Sequence, residues 1–269
     1  EGMIKVARKY SQEKYGPDRS EIVTLINSFH GRTVTTLTAT GQEAMHQYFY
    51  PFTPGFSYAE ANDFDDLLSH VSGKTAGIMM ELIQGEGGVV PLDEGYVQKV
   101  AALCKERDIL LLIDEVQTGN GRTGYFYSYQ AFGIEPDIVS TAKGLGNGLP
   151  IGAVLLGEKT EAVLKPGDHG TTFGMNPVVC AGAKVVLERI DGAFLAEVTR
   201  KGKKIRQALE GADNVASVTG MGLMIGVLPE KGDAHAIFDR CRELGLQLSN
   251  NQVDLGVRVE LPAKVFEHI

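Results

Sequence analysis

Lys143 is the residue in this sequence whose surroundings point most directly to chemistry. It sits in Ser140-Thr141-Ala142-Lys143-Gly144-Leu145-Gly146-Asn147-Gly148-Leu149-Pro150, with small residues before it and three glycines in the five positions after it. A lysine is ordinarily a solvated surface charge. At the mouth of a pocket, a partly desolvated amine has a lowered pKa and can form an imine with a carbonyl. Asp114 is a second candidate, directly after the apolar run Ile109 to Ile113. Alone it could cap a helix or close a turn. Buried at a strand end it needs a partner. A protonated pyridine nitrogen would be one, and a ring kept charged in this way can act as an electron sink.

Ser28-Phe29-His30-Gly31-Arg32-Thr33 adds an aromatic, an imidazole and a guanidinium. Phe29 is either a core residue or a platform for a planar ring. Arg32 is either a surface ion pair or a fork for a carboxylate. Gln84-Gly85-Glu86-Gly87-Gly88 and His169-Gly170-Thr171-Thr172-Phe173-Gly174 are small-residue polar loops. The second leads into a helix, where hydroxyls and backbone N–H groups can hold a phosphate. Each loop is weak evidence by itself.

These segments need a scaffold, and the hydrophobic pattern supplies one. Residues 1–10 read as a helix with Met3, Ile4, Val6, Ala7 and Tyr10 on its buried side. Short apolar runs follow at 22–25, 76–80, 109–113, 137–140 and 151–156, separated by helical patterns. One such helix is expected from about Tyr96 to Arg107, with Asp93 as its cap and Val97, Val100, Ala101 and Cys104 inward. Strands alternating with helices imply an α/β domain with a mainly parallel sheet. In such sheets ligands gather beyond the carboxyl ends of the strands. The polar segments 27–32, 81–88, 114–122 and 143–148 all fall there. A helix over 177–190, charged helical sequence over 197–210 and a hairpin over 215–227 follow. Further on, a helix over 233–244 and short strands at 246–248 and 257–259 complete a smaller α+β unit.

The bulk numbers exclude some functions. Net charge is −8 in 269 residues, which argues against nucleic-acid binding. No apolar run reaches the roughly 18 residues that a membrane span needs. Cys104, Cys180 and Cys241 form no C-x-x-C pair, so they read as reduced core cysteines of a cytoplasmic protein, with no metal site.

Taken in order, six strings resemble the class III, fold-type I pyridoxal-phosphate aminotransferases, and within them the acetylornithine/ornithine aminotransferases. They are Phe29-His30-Gly31-Arg32-Thr33, Glu81-Leu82-Ile83-Gln84-Gly85-Glu86-Gly87-Gly88, and Leu112-Ile113-Asp114-Glu115-Val116-Gln117-Thr118-Gly119. Gly121-Arg122-Thr123-Gly124, Ser140-Thr141-Ala142-Lys143-Gly144 and His169-Gly170-Thr171-Thr172-Phe173-Gly174 complete the set. Lys143 lies 29 residues after Asp114, which makes the match specific.

The resemblance implies a fold-type I large domain (1–185) with a mainly parallel sheet and a smaller α+β C-terminal domain (186–269). It implies pyridoxal 5'-phosphate carried by Lys143, which would also move the proton during catalysis. Asp114 would pair with the ring nitrogen, Gln117 with the ring's phenolic oxygen, and Phe29 would stack on the ring. His30 and Val116 are further cofactor-binding candidates. Thr172 would reach the cofactor phosphate of the other subunit in a homodimer whose active site lies at the interface. Arg32, Glu86 and Arg258 would bind substrate, Glu86 as the acid that pairs with Arg258 and releases it for 2-oxoglutarate. The implied reaction moves the δ-amino group of N2-acetylornithine to 2-oxoglutarate, in arginine biosynthesis. The alternatives are another ω-amino donor (ornithine, succinylornithine, 4-aminobutyrate or lysine) or an inactive fragment of this fold. The family's Ser-Gly-Ala/Thr-Glu-Ala-Asn phosphate segment would end at about Glu1. The chain is therefore expected to be truncated at both ends.

Overall fold

The computed structural model describes residues 1–213 and 215–230. Arg258, Cys241 and the elements expected between 233 and 259 lie outside the described residues. Ten strands and seven α-helices occur within them. The strands are β1 (Glu21–Leu25), β2 (Phe56–Ala59), β3 (Thr75–Met80), β4 (Ile83–Gln84), β5 (Val90–Pro91), β6 (Leu110–Asp114), β7 (Ile138–Thr141), β8 (Ala153–Leu156), β9 (Val215–Met221) and β10 (Met224–Pro229). The helices are α1 (Gly2–Tyr15), α2 (Val34–Ala39), α3 (Glu43–His46), α4 (Phe64–His70), α5 (Glu94–Arg107), α6 (Pro177–Arg189) and α7 (Gly192–Glu210).

The central sheet has the order β2-β1-β3-β6-β7-β8. All its pairings are parallel except β7 with β8. Strands buried on both faces read as unbroken apolar runs, and the two faces have separate cores. Val23, Leu25, Ile78, Met80, Leu111 and Ile113 pack with Leu67 of α4 and Val97, Val100 and Cys104 of α5. The alternate residues Ile22, Met79, Leu110 and Leu112 pack with Met3, Ile4, Val6 and Ala7 of α1. The period of two along each strand thus divides one apolar sequence between two helical layers. Chain order reverses across β1 and β3, the position where open α/β sheets form a crevice for ligands.

Several local expectations change. The 151–156 run forms an antiparallel strand at the edge of the sheet, with Val154 and Leu155 exposed. Strand β2 escaped the sequence pattern: it is four residues at the other edge, and three of them are only half-buried. Asp93 occupies the N-cap of α5, but its side chain makes no capping hydrogen bond and the helix begins at Glu94. Helix α2 forms from a β-branched stretch with poor helix propensity. The threonine hydroxyls sustain it by bonding back to the turn, with Thr38 Oγ1 donating to Val34 O at 2.7 Å and Thr40 Oγ1 to Thr36 O at 3.0 Å. Cys104 is core as expected, whereas Cys180 is half-buried on α6. Among the described residues, no helix is long and apolar enough to cross a membrane.

Helix α1 is tied to the α5–β6 junction by one carboxylate. Asp108 has φ 50°, the left-handed conformation that ends a helix without glycine, and its backbone N–H bonds Cys104 O. Its side chain accepts hydrogen bonds from Lys14 Nζ at 2.8 Å, from Tyr10 at 3.1 Å and from Tyr15. Burial alone would raise the Asp108 pKa, but the bonds from Lys14, Tyr15 and Tyr10 outweigh it and hold the carboxyl below its ordinary value. A depressed carboxylate stabilises the fold above its unfolded pKa and loses that contribution as pH falls through the folded value. Asp108→Asn is expected to cost about 1 kcal/mol at neutral pH, because the cluster is partly exposed. Urea denaturation should show this difference at pH 7 and a smaller one at pH 3.

Candidate active site

Four parallel strands deliver polar groups to one end of the sheet. Asp114 closes β6, a strand buried at every position, and is itself buried. Its carboxylate accepts from Val116 N at 3.1 Å, from Ser140 Oγ at 3.1 Å and from His30 Nδ1 at 2.9 Å. The His30 side chain is fully enclosed, and its Nε2 has no hydrogen-bond partner. His30 N donates to Thr40 Oγ1 at 2.9 Å, which fixes the imidazole's approach from the β1 end.

Lys143 follows β7, three residues beyond Ser140, which pairs in register with Asp114. Its side chain is exposed and donates to Gln117 Oε1. Its φ is 45°, a left-handed conformation that costs a non-glycine residue roughly 1–2 kcal/mol. Neighbouring contacts hold it there. Asn120 Nδ2 donates to Thr141 Oγ1 at 2.9 Å and to Ala142 O at 3.2 Å, and Leu145 N donates to Ala142 O at 3.0 Å. Gly144 leaves room for Asn120: a Cβ there would lie 3.2 Å from Asn120 Cβ.

The other predicted residues divide into two groups. Phe29, half-buried, carries the Arg32 guanidinium over its ring, with Cζ 5.2 Å from the ring centre. Glu86 stands in the Gly85–Gly88 turn, which packs against Gln117 and Asn27: a Cβ on Gly85 would lie 3.2 Å from Gln117 Cγ, and one on Gly87 would lie 2.8 Å from Asn27 O. These residues join the Asp114–Lys143 end of the sheet. Thr172 lies elsewhere, in a fully exposed loop beside Phe173 and Met175, which are 87% and 88% exposed. Arg258 lies outside the described residues.

Sequence reading missed Glu81, Ser140 and Asn120 as members of the site. Glu81 follows β3 as Asp114 ends β6, so the same signal, a carboxylate closing an apolar strand, could have found it. Its two oxygens accept from Phe29 N at 2.9 Å and from Gly85 N at 3.2 Å. Ser140 was legible only through its register opposite Asp114.

The sequence model for the class-III aminotransferases matches residues 1–261. The chain belongs to the class-III aminotransferases. Its fold is the α/β fold-type I architecture with a mainly parallel sheet. An acetylornithine aminotransferase of Haemophilus ducreyi is 56% identical over 228 residues, 84% of this chain and 58% of that protein. The N-acetylornithine aminotransferase structure from Stenotrophomonas maltophilia superposes with TM-score 0.75 at 32% identity, covering 98% of this chain and 68% of that one. An ornithine aminotransferase structure from Toxoplasma gondii, with partial occupancy of pyridoxal phosphate at its active site, gives TM-score 0.85 at 29% identity, over 96% of this chain and 64% of that one. The chain spans 58% of the length of the Haemophilus relative.

In this class-III chain the donor set fits a pyridoxal-type group. A buried carboxylate stands at the end of one strand for the ring nitrogen. An amine follows the next strand for the aldehyde carbon. An amide lies beside the amine for the ring oxygen. Glu81 sits behind this set. Burial pushes its carboxyl up to about 7, with the His30 charge opposing and Asp114 reinforcing the shift. A raised acid pKa favours the fold at low pH, and that advantage is lost as pH rises from the unfolded value of about 4.3 through 7. Glu81→Gln removes the titration. Wild type should lose stability relative to the variant between pH 5 and 7.5, read from paired thermal melts, and a constant difference across that range would contradict the assignment.

Proposed function

We propose that the protein carrying this chain is a transaminase that moves the δ-amino group of N2-acetylornithine to 2-oxoglutarate, with pyridoxal phosphate held at Lys143. The observation that carries this reading is the pairing of Lys143, just beyond β7, with Gln117, three residues after the buried Asp114 that ends the neighbouring β6. The likeness to relatives named acetylornithine aminotransferases supports the donor. The likeness to ornithine aminotransferase structures favours a second donor, ornithine, acting through the same residues.

When bound, pyridoxal phosphate supplies a carbonyl carbon for the amino group and a ring that delocalises the electron pair freed at the substrate carbon. The chain's residues do the rest. Asp114, oriented by His30, Ser140 and Val116 N–H, is the partner for the ring nitrogen. Phe29 provides an apolar face for the ring. Lys143 Nζ would take the proton from the carbon bearing the substrate amine and return it to the carbon on the far side of that amine nitrogen, as general base and then acid. Gln117 holds Nζ between these transfers. Arg32, at the exposed rim, receives a substrate carboxylate in a two-pronged hydrogen bond. Glu86 and Arg258 would govern entry of 2-oxoglutarate.

Thr172 takes its role in a homodimer, where it would meet the phosphate of the partner copy's cofactor. The exposed apolar residues Phe173, Met175 and Val178 around the start of α6 support a second copy covering this face. Lys143→Ala should lower turnover by 10²–10⁴-fold or more, roughly the range of a lost acid–base group. Borohydride should fix the cofactor covalently to wild type and not to the variant. Covalent fixation in Lys143→Ala would sink the role given to this lysine.

A further inference from the structure

The turn that carries Glu86 is gripped at both ends by the β9–β10 hairpin. Gly88 N and Val89 N both donate to Gly85 O, at 3.2 and 3.3 Å, so the turn is tight and its ends set the direction of its tip. At one end, Met224 is buried and places Cε 3.3 Å from where a Cβ on Gly85 would stand, with Gln117 Cγ at 3.2 Å from the same point. At the other end, Thr219 Oγ1 donates to Val89 O at 2.7 Å. Val89 has φ 56°, a left-handed conformation that a β-branched residue adopts only when its surroundings impose it. The hairpin supplies those surroundings. A Cβ on Gly226 would lie 2.6 Å from Thr219 Oγ1 and 2.8 Å from Val89 Cβ, so glycine there leaves room for both the hydroxyl and the valine; Gly220, whose own φ of 98° and close approach to Met224 O already require glycine, also faces Val89 Cγ1 at 3.0 Å from its Cβ position. Glycine at 226 has no other conformational need, because its φ is not positive.

We propose that Thr219, with the Val89 slot, is a positioning residue that sets where the Glu86 carboxylate stands and thereby the preference between the zwitterionic amino donor and the doubly anionic 2-oxo acid. This rests on the transaminase reading above. Carboxylates of the acceptor meet Glu86 as like charges, whereas a donor entering by its ammonium end does not. A small displacement of the turn therefore changes one half-reaction more than the other.

The test uses the complete natural protein with Thr219→Val, which keeps the side chain's shape and removes the donor, and Thr219→Ser, which restores it. The two half-reactions are measured separately, as kcat/KM for the amino donor and kcat/KM for 2-oxoglutarate. Hydrogen–deuterium exchange across residues 85–91 is followed in the cofactor-free protein. Thr219→Val should shift the ratio of the two kcat/KM values by about three- to tenfold, the equivalent of one hydrogen bond. It should also speed exchange in the turn, and Thr219→Ser should return both toward wild type. Unchanged exchange overturns the grip, and faster exchange with an unchanged ratio overturns its part in selection. A wild-type protein without either half-reaction refutes the transaminase reading instead, and the exchange arm still judges the grip.

Discussion

A carboxylate at the end of a fully buried strand is the constraint from which the rest of the site follows. Strand β6 has no exposed position, and Asp114 closes it at 6% exposure. An uncompensated charge there would cost several kcal/mol, of the order of the whole stability of a domain. The chain answers with three donors from three segments: Val116 N–H from the loop after β6, Ser140 from β7 and His30 from the segment after β1. Satisfying one anion therefore orders the adjoining loop and fixes two pieces of chain that are remote in sequence. Lys143 follows Ser140 by three residues, so the bond that places Ser140 also places the amine. The carboxylate is thus the common reference for His30, Ser140 and, through Ser140, Lys143.

The lysine itself is held against local preference. A left-handed lysine has no intrinsic support, and the turn after it would relax if nothing opposed that. Asn120 opposes it by clasping both residues before the lysine, Thr141 and Ala142. Asn120 is left-handed too, at φ 56°, but asparagine tolerates this. Strain placed on one residue and resisted by another from a different strand end is the arrangement expected where a reactive group must point away from the path the backbone would choose. The three glycines after Lys143 fit the same reading, since they let the chain leave the turn with little steric opposition.

Much of this is legible in the amino-acid sequence, and the boundary is physical. Buried strands announce themselves as apolar runs, so β1, β3, β6 and β7 were readable, and with them the strand ends where Asp114 and Lys143 stand. Strand β2 was not readable, because an edge strand of four half-buried residues carries no clear period. The reversed direction of β8 was also hidden, since direction depends on the connection and not on the strand's composition. Helix α2 was unreadable because threonine hydroxyls, acting through specific back-bonds, replaced propensity. Within the candidate site, Lys143 and Asp114 stand out by type and setting, whereas Ser140 and Asn120 are ordinary residues brought there by register and by the fold. The placing of the Arg32 guanidinium over the Phe29 ring was not readable either, since it depends on the turn between them.

Three carboxylates gather at neighbouring strand ends, and their partners explain why they are not equivalent. Glu115 adjoins Asp114 in the chain yet accepts from Thr118, Ser128 and Tyr129 N, neutral donors of the loop it closes. Burial raises its pKa while those bonds pull it back, which is the balance of a structural acid that orders a loop. Glu81 has only two backbone N–H donors, and burial prevails. Of the three, Asp114 alone is hydrogen-bonded to an imidazole, whereas Glu81 feels the same His30 only through space. A ring nitrogen brought to this cluster would find one carboxylate already oriented by an imidazole, one committed to a loop, and one whose charge is suppressed by burial. Environment rather than position along the strand assigns the role, since the same residue type in each place would otherwise compete for the same proton.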